Sequence, residues 1–197
     1  QWKGFSQTTR YTYLIPDTLD IEALWGETET NIRTDVRKAR KELEVVEHDN
    51  AGQFLELQKR TYARHGMAMP FAEETFLRLD SACVKHSCRT ILSAEDSLGR
   101  PHAAAYLVSD STTMYAFLRA RDPDLKRGAA ALVLWAAIEL ASSQQKAFEF
   151  MGSWEEHIER FVRAFGGRQT PFFEVTKMNS QVVQNYRSLW KLTHPHG

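Results

Sequence analysis

The residues able to do chemistry gather between Met114 and Gly167. Glu149 is a single carboxylate between Phe148 and Phe150 in the alternating segment AFEFM. Held mid-strand, it is either a base, acting directly or through water, or one half of a structural ion pair at a sheet edge. Arg119, Arg121, Lys126 and Arg127 lead into Gly128 and Ala129. If Ala129 opens a helix, its free amides and these cations share one edge, where an anion would be held. Ser153, Trp154 and His157 follow the second alternating segment. Trp154 either lines a pocket or fills core, and His157 faces either the same edge or solvent. Elsewhere, Arg33, Arg37, Arg40 and Lys41 recur at i, i+4, i+7 and i+8. They form one basic helix face, either simply solvated or a contact surface for phosphate or carboxylate. Cys83, His86 and Cys88 are close in sequence but lack a fourth ligand, so no metal site is expected.

These residues need two strands and the helix between them. MYAFLRA (114–120) is apolar with aromatic residues at period two, RDPDLKRG (121–128) is a polar loop, and AAALVLWAAIELA (129–141) carries only Glu139 as a charge. AFEFM (147–151) alternates again. Two strands joined through a helix make a βαβ crossover, so they should be parallel neighbours with the ligand at their carboxyl ends. The middle helix is apolar on nearly all sides, which predicts cover from more than one direction. Ser153 and Glu156 have capping-box spacing for a helix over Trp154–Phe165. Ile158, Phe161, Val162 and Phe165 form its apolar stripe, and Gly166–Gly167 its stop.

Around this unit the chain reads in order. Thr9–Ile15 is a strand; Leu19–Leu43 is one helix or two, with Ile32, Val36, Ala39 and Leu43 as a buried stripe; Leu43–Glu47 is a short strand. Asn50–Ala63 is a helix with Phe54, Leu57 and Thr61 on one stripe. A second helix spans Glu73–Val84, its apolar positions being Phe76, Leu77, Leu79 and Val84. Strands at Arg89–Ala94, His102–Ser109 and Thr113–Leu118 are joined by hairpin-length turns, with His102 expected at the surface. Pro171–Lys177 is a last strand, and Ser180–Lys191 is either a helix or a strand with a loop.

With 197 residues, 43% of them hydrophobic, the chain suits a single domain with a sizeable core. Its formal net charge is zero, which rules out a global field drawing it to nucleic acid or membrane. No apolar run is long enough to span a bilayer and no leader pattern is present. Two cysteines are too few for a disulfide framework, so reduced thiols and a cytoplasmic location are expected. The first residue is Gln1, which suggests a processed chain or one cut from a longer protein.

The element order resembles the GNAT superfamily of N-acetyltransferases. Three stretches resemble its FemAB-like and BioF-like branch: LWGETETNIRTDVRKARKELEVVE (24–47), FLELQKRTYARHG (54–66) and FEFMGSWEEHIERFVRAFGG (148–167). The resemblance implies an α/β (α+β) fold: a mixed sheet in which an antiparallel meander precedes a βαβ crossover with splayed parallel strands, helices lying on both faces. It implies one acyltransferase domain over residues 1–197, which could be the C-terminal unit of a two-unit protein or half of a homodimer. An acetyl-CoA or other acyl-CoA would insert its arm along Leu118 and Arg119. Its pyrophosphate would lie on Arg121, Lys126, Arg127, Gly128, Ala129 and Ser153. Glu149 would take the proton of the attacking amine, and Arg33, Arg37, Trp154 and His157 would contact substrate. No metal is implied.

The pattern also departs from the family. The loop RDPDLKRGA holds one glycine, and the position of the family's general acid is Val162. Tyr186 or Arg163 would then replace that acid, or the site would be weak. Three functions stay open. The chain could be an acyl-CoA-dependent N-acyltransferase acting on a small or cell-envelope amine. It could be a FemAB-like transferase moving an aminoacyl group from tRNA to a peptidoglycan precursor. Or it could be a non-catalytic scaffold.

Overall fold

The computed structural model describes residues 5–64, 66–122, 124, 128–152 and 156–177, with His157 described by its backbone alone. Thr12–Gln169 forms one compact unit, and the described parts of Gln1–Tyr11 and Thr170–Gly197 belong to a second. The elements run β1 (Phe5–Ile15), α1 (Ile21–Glu27), α2 (Thr30–Ala39), β2 (Glu44–His48), α3 (Ala51–Arg64), α4 (Glu73–Lys85), β3 (Arg89–Glu95), β4 (Pro101–Ser109) and β5 (Thr113–Arg121). They continue through α5 (Ala129–Ser143), β6 (Ala147–Glu149), α6 (Glu156–Arg163) and β7 (Arg168–Lys177). The strand order is β2-β3-β4-β5-β6-β1-β7. β2 through β5 pair antiparallel in sequence order, β5 and β6 pair parallel, and β6 pairs antiparallel with β1. This is the expected mixed sheet, a meander followed by a crossover. The segment 19–43 resolves into two helices, and the helix expected from Trp154 is described from Glu156. Ser180–Lys191 lies outside the described residues.

Two cores lie on opposite faces of the sheet. On one, α2 and α5 cover Ala103, Ala105, Leu107, Met114, Ala116 and Phe148. α2 contributes Ile32, Val36 and Ala39, the predicted stripe. α5 has nine buried residues, in keeping with its nearly unbroken apolar sequence. On the other face, Phe54, Leu55 and Leu57 of α3 and Phe76 of α4 pack on Ile91, Ala104, Tyr106 and Ala120.

Two expectations need correction. Leu77, Leu79 and Val84 are exposed rather than packed. The inward stripe of α4 is Phe76, Asp80 and Cys83, in which Asp80 accepts the buried Tyr106 hydroxyl at 2.8 Å. A hydrophobicity pattern passes over such a residue, because a buried carboxylate is tolerated only when paired, and Arg89 lies 3.5 Å away. His102 is buried, 7% exposed, with Nε2 facing Asp96 at 3.2 Å; the Asp96–Arg100 turn folds over it.

Gly128 carries the junction between α2 and α5. It caps α5 at φ +91°, and a Cβ there would lie 2.8 Å from the Asp35 carbonyl oxygen of α2. Left-handed backbone and overpacking each cost about 1–3 kcal/mol, so Gly128→Ala should lower unfolding stability by more than about 2 kcal/mol. Chemical denaturation would measure it; an unchanged midpoint would mean that the helices separate freely at this point.

Candidate functional site

The expected splay is visible in the ladder between β5 and β6. Parallel pairing covers only Thr113↔Ala147, Met114↔Phe148 and Tyr115↔Glu149. β6 then ends at Glu149, whereas β5 continues to Arg121. Past that point the chain turns towards β1: the Phe150 amide donates to the Tyr13 carbonyl at 3.0 Å, and Met151 takes φ +59°. The edge of β5 facing β6 thus lacks a strand partner from Ala116 onward, among the described residues. An extended, amide-bearing ligand arm can pair with such an edge.

A β-bulge decides which side chains meet the ligand. Tyr106 pairs with Leu118 but Val108 with Tyr115, so Ala116 and Phe117 of β5 stand against Leu107 alone. The extra residue reverses the facing of everything after it. Before the bulge, Met114 and Ala116 pack on the α2–α5 face. After it, Arg119 lies opposite Ala105 and Arg121 opposite Ala103, both residues of that same core. Without the bulge both arginines would face α3.

Arg119 is the electrostatic anomaly of this face. Burial pushes its pKa down, and among the described residues no carboxylate acts against that effect. Its Nη1 atom is sealed from solvent and has no hydrogen-bond partner. A guanidinium keeps its proton even when buried, so the site holds a fixed positive charge with unused donors. Gly128, at the start of α5, provides no side-chain cap for the first-turn amides of that helix. On α2, which meets Gly128 at Asp35, Arg33 Nε is also buried and unpartnered. Unused donors of the Arg119 kind suit an anionic group. The glycine itself is already required by its φ and by the close approach of α2; what remains for a ligand is its neighbours' amides.

Two cations of the basic face read from Arg33, Arg37, Arg40 and Lys41 have partners on other helices. Arg40 pairs with Glu139 at 2.6 Å, and Arg37 lies 5.6 Å from the centroid of the Trp25 ring. Lys41 falls beyond the end of α2.

Glu149 lies on the opposite face from Phe148, between Leu14 of β1 and Tyr115 of β5, at the mouth of the splay. Burial raises its pKa above the usual carboxylate range. The nearby Thr12 hydroxyl works the other way but does not meet hydrogen-bond geometry. Burial, and then the hydrogen bond its hydroxyl donates to Asp110 at 2.9 Å, push the Tyr115 pKa up, with the charge of Glu149 adding least. A carboxylate with raised proton affinity, half-buried at the end of a short strand, is suited to general-base chemistry. Val162 is 1% exposed and packed in the core, so this position offers no acid. Arg163 is exposed and faces Glu159 at 3.8 Å, the carboxylate that accepts the Tyr13 hydroxyl.

Leu118, Arg119 and Arg121 thus lie on β5 past the end of its pairing with β6, Gly128 and Ala129 start α5, and Glu149 ends β6, with Arg119 and Arg121 on one face of the sheet and Glu149 on the other. Lys126, Arg127, Ser153, Trp154 and Tyr186 lie outside the described residues, as does the side chain of His157. Tyr115 was not singled out by the sequence; its position opposite Glu149 depends on pairing register, which no local pattern displays. Among the described residues there is no cluster of His, Cys, Asp and Glu able to hold a metal, and no helix long and apolar enough to cross a membrane.

Comparison with known proteins bears on the fold. FemX superposes with a TM-score of 0.73 at 14% identity, over 93% of this chain and 65% of its own. The L-PGS of Bacillus licheniformis matches with a TM-score of 0.64 at 8% identity, over 96% of this chain and 67% of its own. The C-terminal domain (DUF2156) of a proposed lysylphosphatidylglycerol synthetase from Agrobacterium fabrum gives 0.64 at 14% identity, over 96% of this chain and 66% of its own. The chain thus spans just under two thirds of FemX and of the Agrobacterium domain, and identities this low speak for the fold alone. A search of curated proteins finds no significant match. The sequence model of the acetyltransferase (GNAT) domain, however, matches residues 27–172, from the end of α1 to the middle of β7. With the parting of β5 and β6 inside that match, the chain belongs to the GNAT acetyltransferase domain family.

Proposed function

We propose that this chain is an N-acyltransferase that takes its acyl group from an acyl-CoA and delivers it to the amine of a small molecule or a cell-envelope precursor. One observation carries the choice of donor. Among the described residues, Arg119, with its Nη1 atom sealed and unpartnered, lies on the sheet face covered by α5, whose N-cap Gly128 offers no side-chain bond, beside a β5 edge without a strand partner. A phosphate-bearing donor with an amide-containing arm satisfies all three. When bound, acyl-CoA supplies an activated thioester. The β5 edge holds the arm in register, the α5 amides and Arg119 hold phosphate, and Glu149 removes a proton from the incoming amine. The missing acid at Val162 is tolerable, since a thiol of pKa about 8.5 leaves readily near neutral pH.

The second reading is transfer from aminoacyl-tRNA, favoured by the fold likeness to FemX. The engagement of Arg37 and Arg40 and the zero formal charge weigh against it, since tRNA binding draws on many free cations. We take residues 1–197 as one GNAT unit acting in the cytoplasm, with a further unit or second copy as its partner. Thermal unfolding with acetyl-CoA, CoA and pantetheine tests the donor. A ligand at about a hundred times its Kd adds about 2.7 kcal/mol to the folded state. CoA and acetyl-CoA should raise the midpoint while pantetheine, lacking phosphate, does so far less. No shift with any of them, together with salt-sensitive tRNA binding, would transfer the assignment to the second reading.

A further inference from the structure

We infer that Thr12 is a positioning residue for Glu149: its hydroxyl donates to one oxygen of the ionised carboxylate and leaves the other to face the acceptor amine. The inference rests on the reading of Glu149 as the base and names what holds it. Strand pairing sets the two residues together. Leu14 of β1 stands opposite Glu149, and Ile15 opposite Phe148. Tyr13 and Ile15 pack in the same core as Phe148, on the α2–α5 face. Alternation therefore puts Thr12 and Leu14 on the Glu149 side of the sheet. Thr12 is thus the diagonal neighbour of Glu149, a separation that a long side chain spans. β1 stays beside the chain past the end of β6, since the Phe150 amide donates to the Tyr13 carbonyl at 3.0 Å.

Burial and partnering single out this hydroxyl. Thr12 is 5% exposed, and its Oγ1 atom is sealed from solvent without a hydrogen-bond partner. Most buried hydroxyls are paired, and a sealed one can serve a substrate only through a neighbour. Glu149 is that neighbour: the Thr12 hydroxyl favours its ionised form, against the effect of burial. The other groups around Glu149 are engaged. Tyr115, opposite it on β5, donates its hydroxyl to Asp110 at 2.9 Å, Leu14 offers no polar side chain, and farther along β1 Arg10 is held by Glu174 at 3.0 Å. Among the described residues no charged group shifts the Glu149 carboxyl. An ionised carboxylate accepts more strongly than a neutral one. Deprotonation therefore draws the hydroxyl in, and rotation about one side-chain bond of Thr12 closes the contact. Catalytic hydrogen bonds commonly tighten in this way from a looser resting geometry.

The test titrates the Glu149 carboxyl of the full chain by carbon NMR, its resonance assigned by its loss in Glu149→Gln. Thr12→Val keeps the shape of the side chain and removes the donor. Losing a hydrogen bond to the charged form raises a carboxyl pKa. The midpoint should rise by about one pH unit in Thr12→Val and stay close to wild type in Thr12→Ser. Thr12→Ala should show the same rise where valine crowds the site. The climb of kcat/KM with pH, followed as thiol release from acetyl-CoA with glycinamide, should move up by the same amount. Acetyl-CoA affinity should not change, because Arg119 lies on the other face. An unmoved midpoint in Thr12→Val and Thr12→Ala overturns the inference, whatever the rates do, and leaves Glu149 free to be the base. A moved midpoint with an unmoved rate profile overturns the base reading, and the positioning role falls with it. Without turnover of glycinamide the midpoint alone decides, a rise supporting the Thr12 bond and no rise removing it.

Discussion

Replacing Arg119 with methionine should make the free protein more stable and its hold on acyl-CoA weaker. The guanidinium is desolvated without a compensating carboxylate, and its Nη1 atom has no acceptor. A buried polar group left unsatisfied costs about 1–3 kcal/mol, and more when charged. Methionine keeps much of the volume and removes that cost, so the midpoint of thermal unfolding should rise by several degrees. In the complex the same group would donate to phosphate. Losing a charge-assisted hydrogen bond of about 1.5–3 kcal/mol weakens the Kd for acetyl-CoA by about 10–100-fold. Arg119→Lys, which keeps the charge but loses the planar fork, should fall between the two. Differential scanning calorimetry and a binding titration on the same samples read both effects. A destabilised variant that binds as well as wild type would make Arg119 a structural cation with no part in binding.

The second large effect concerns Glu149. Glu149→Gln keeps the shape and hydrogen-bonding capacity but cannot take a proton, and kcat/KM should fall about 10²–10⁴-fold with acetyl-CoA affinity unchanged. Because burial raises the Glu149 pKa in the folded state, wild-type kcat/KM should climb with pH through that raised value, and the climb should vanish in the variant. Stability moves in the opposite direction. A carboxyl whose folded pKa lies above its unfolded value binds more protons in the folded state between the two values. Folding is therefore favoured by this group at acid pH and loses that contribution as pH rises from the ordinary Glu value to the raised one. Glu149→Gln should accordingly be more stable than wild type at neutral pH and close to it in acid. A variant with full activity would retire Glu149 as the base.

The contrast between these two residues shows what the sequence displayed. Glu149 stood out because a carboxylate interrupting an alternating aromatic strand is unusual wherever it occurs, and the structure places it at the end of the parallel ladder. The crossover was equally legible: an apolar α5 between two short alternating segments leaves few other arrangements. Arg119 was readable as a residue near the loop but not as a buried, unpaired cation. Its facing depends on a bulge at Ala116 and Phe117, and a one-residue insertion in a ladder leaves no trace in local periodicity. The helix face of Arg33, Arg37 and Arg40 was legible as a face, but the partners of its cations were not. Spacing sets which residues share a face, whereas Glu139 and Trp25, which occupy two of those cations, come from other helices. His102 was expected at the surface and Asp80 passed unnoticed because a buried polar residue is recognised only by its partner, and both partners are fixed by tertiary structure.

The central claim is that the donor lies in the opening where β5 and β6 part. Hydrogen exchange measured by mass spectrometry, with and without saturating acetyl-CoA, tests it at the place concerned. Among the described residues, the β5 amides beyond Tyr115 that face away from β4 have no strand partner, that of Arg121 being held instead by the Thr61 hydroxyl at 3.1 Å, and the N-cap Gly128 of α5 offers no side-chain bond. The account predicts added protection in peptides covering 116–121 and 128–132, and little change in β2 or β3. Protection confined to other segments, or none at all at saturation, would contradict it.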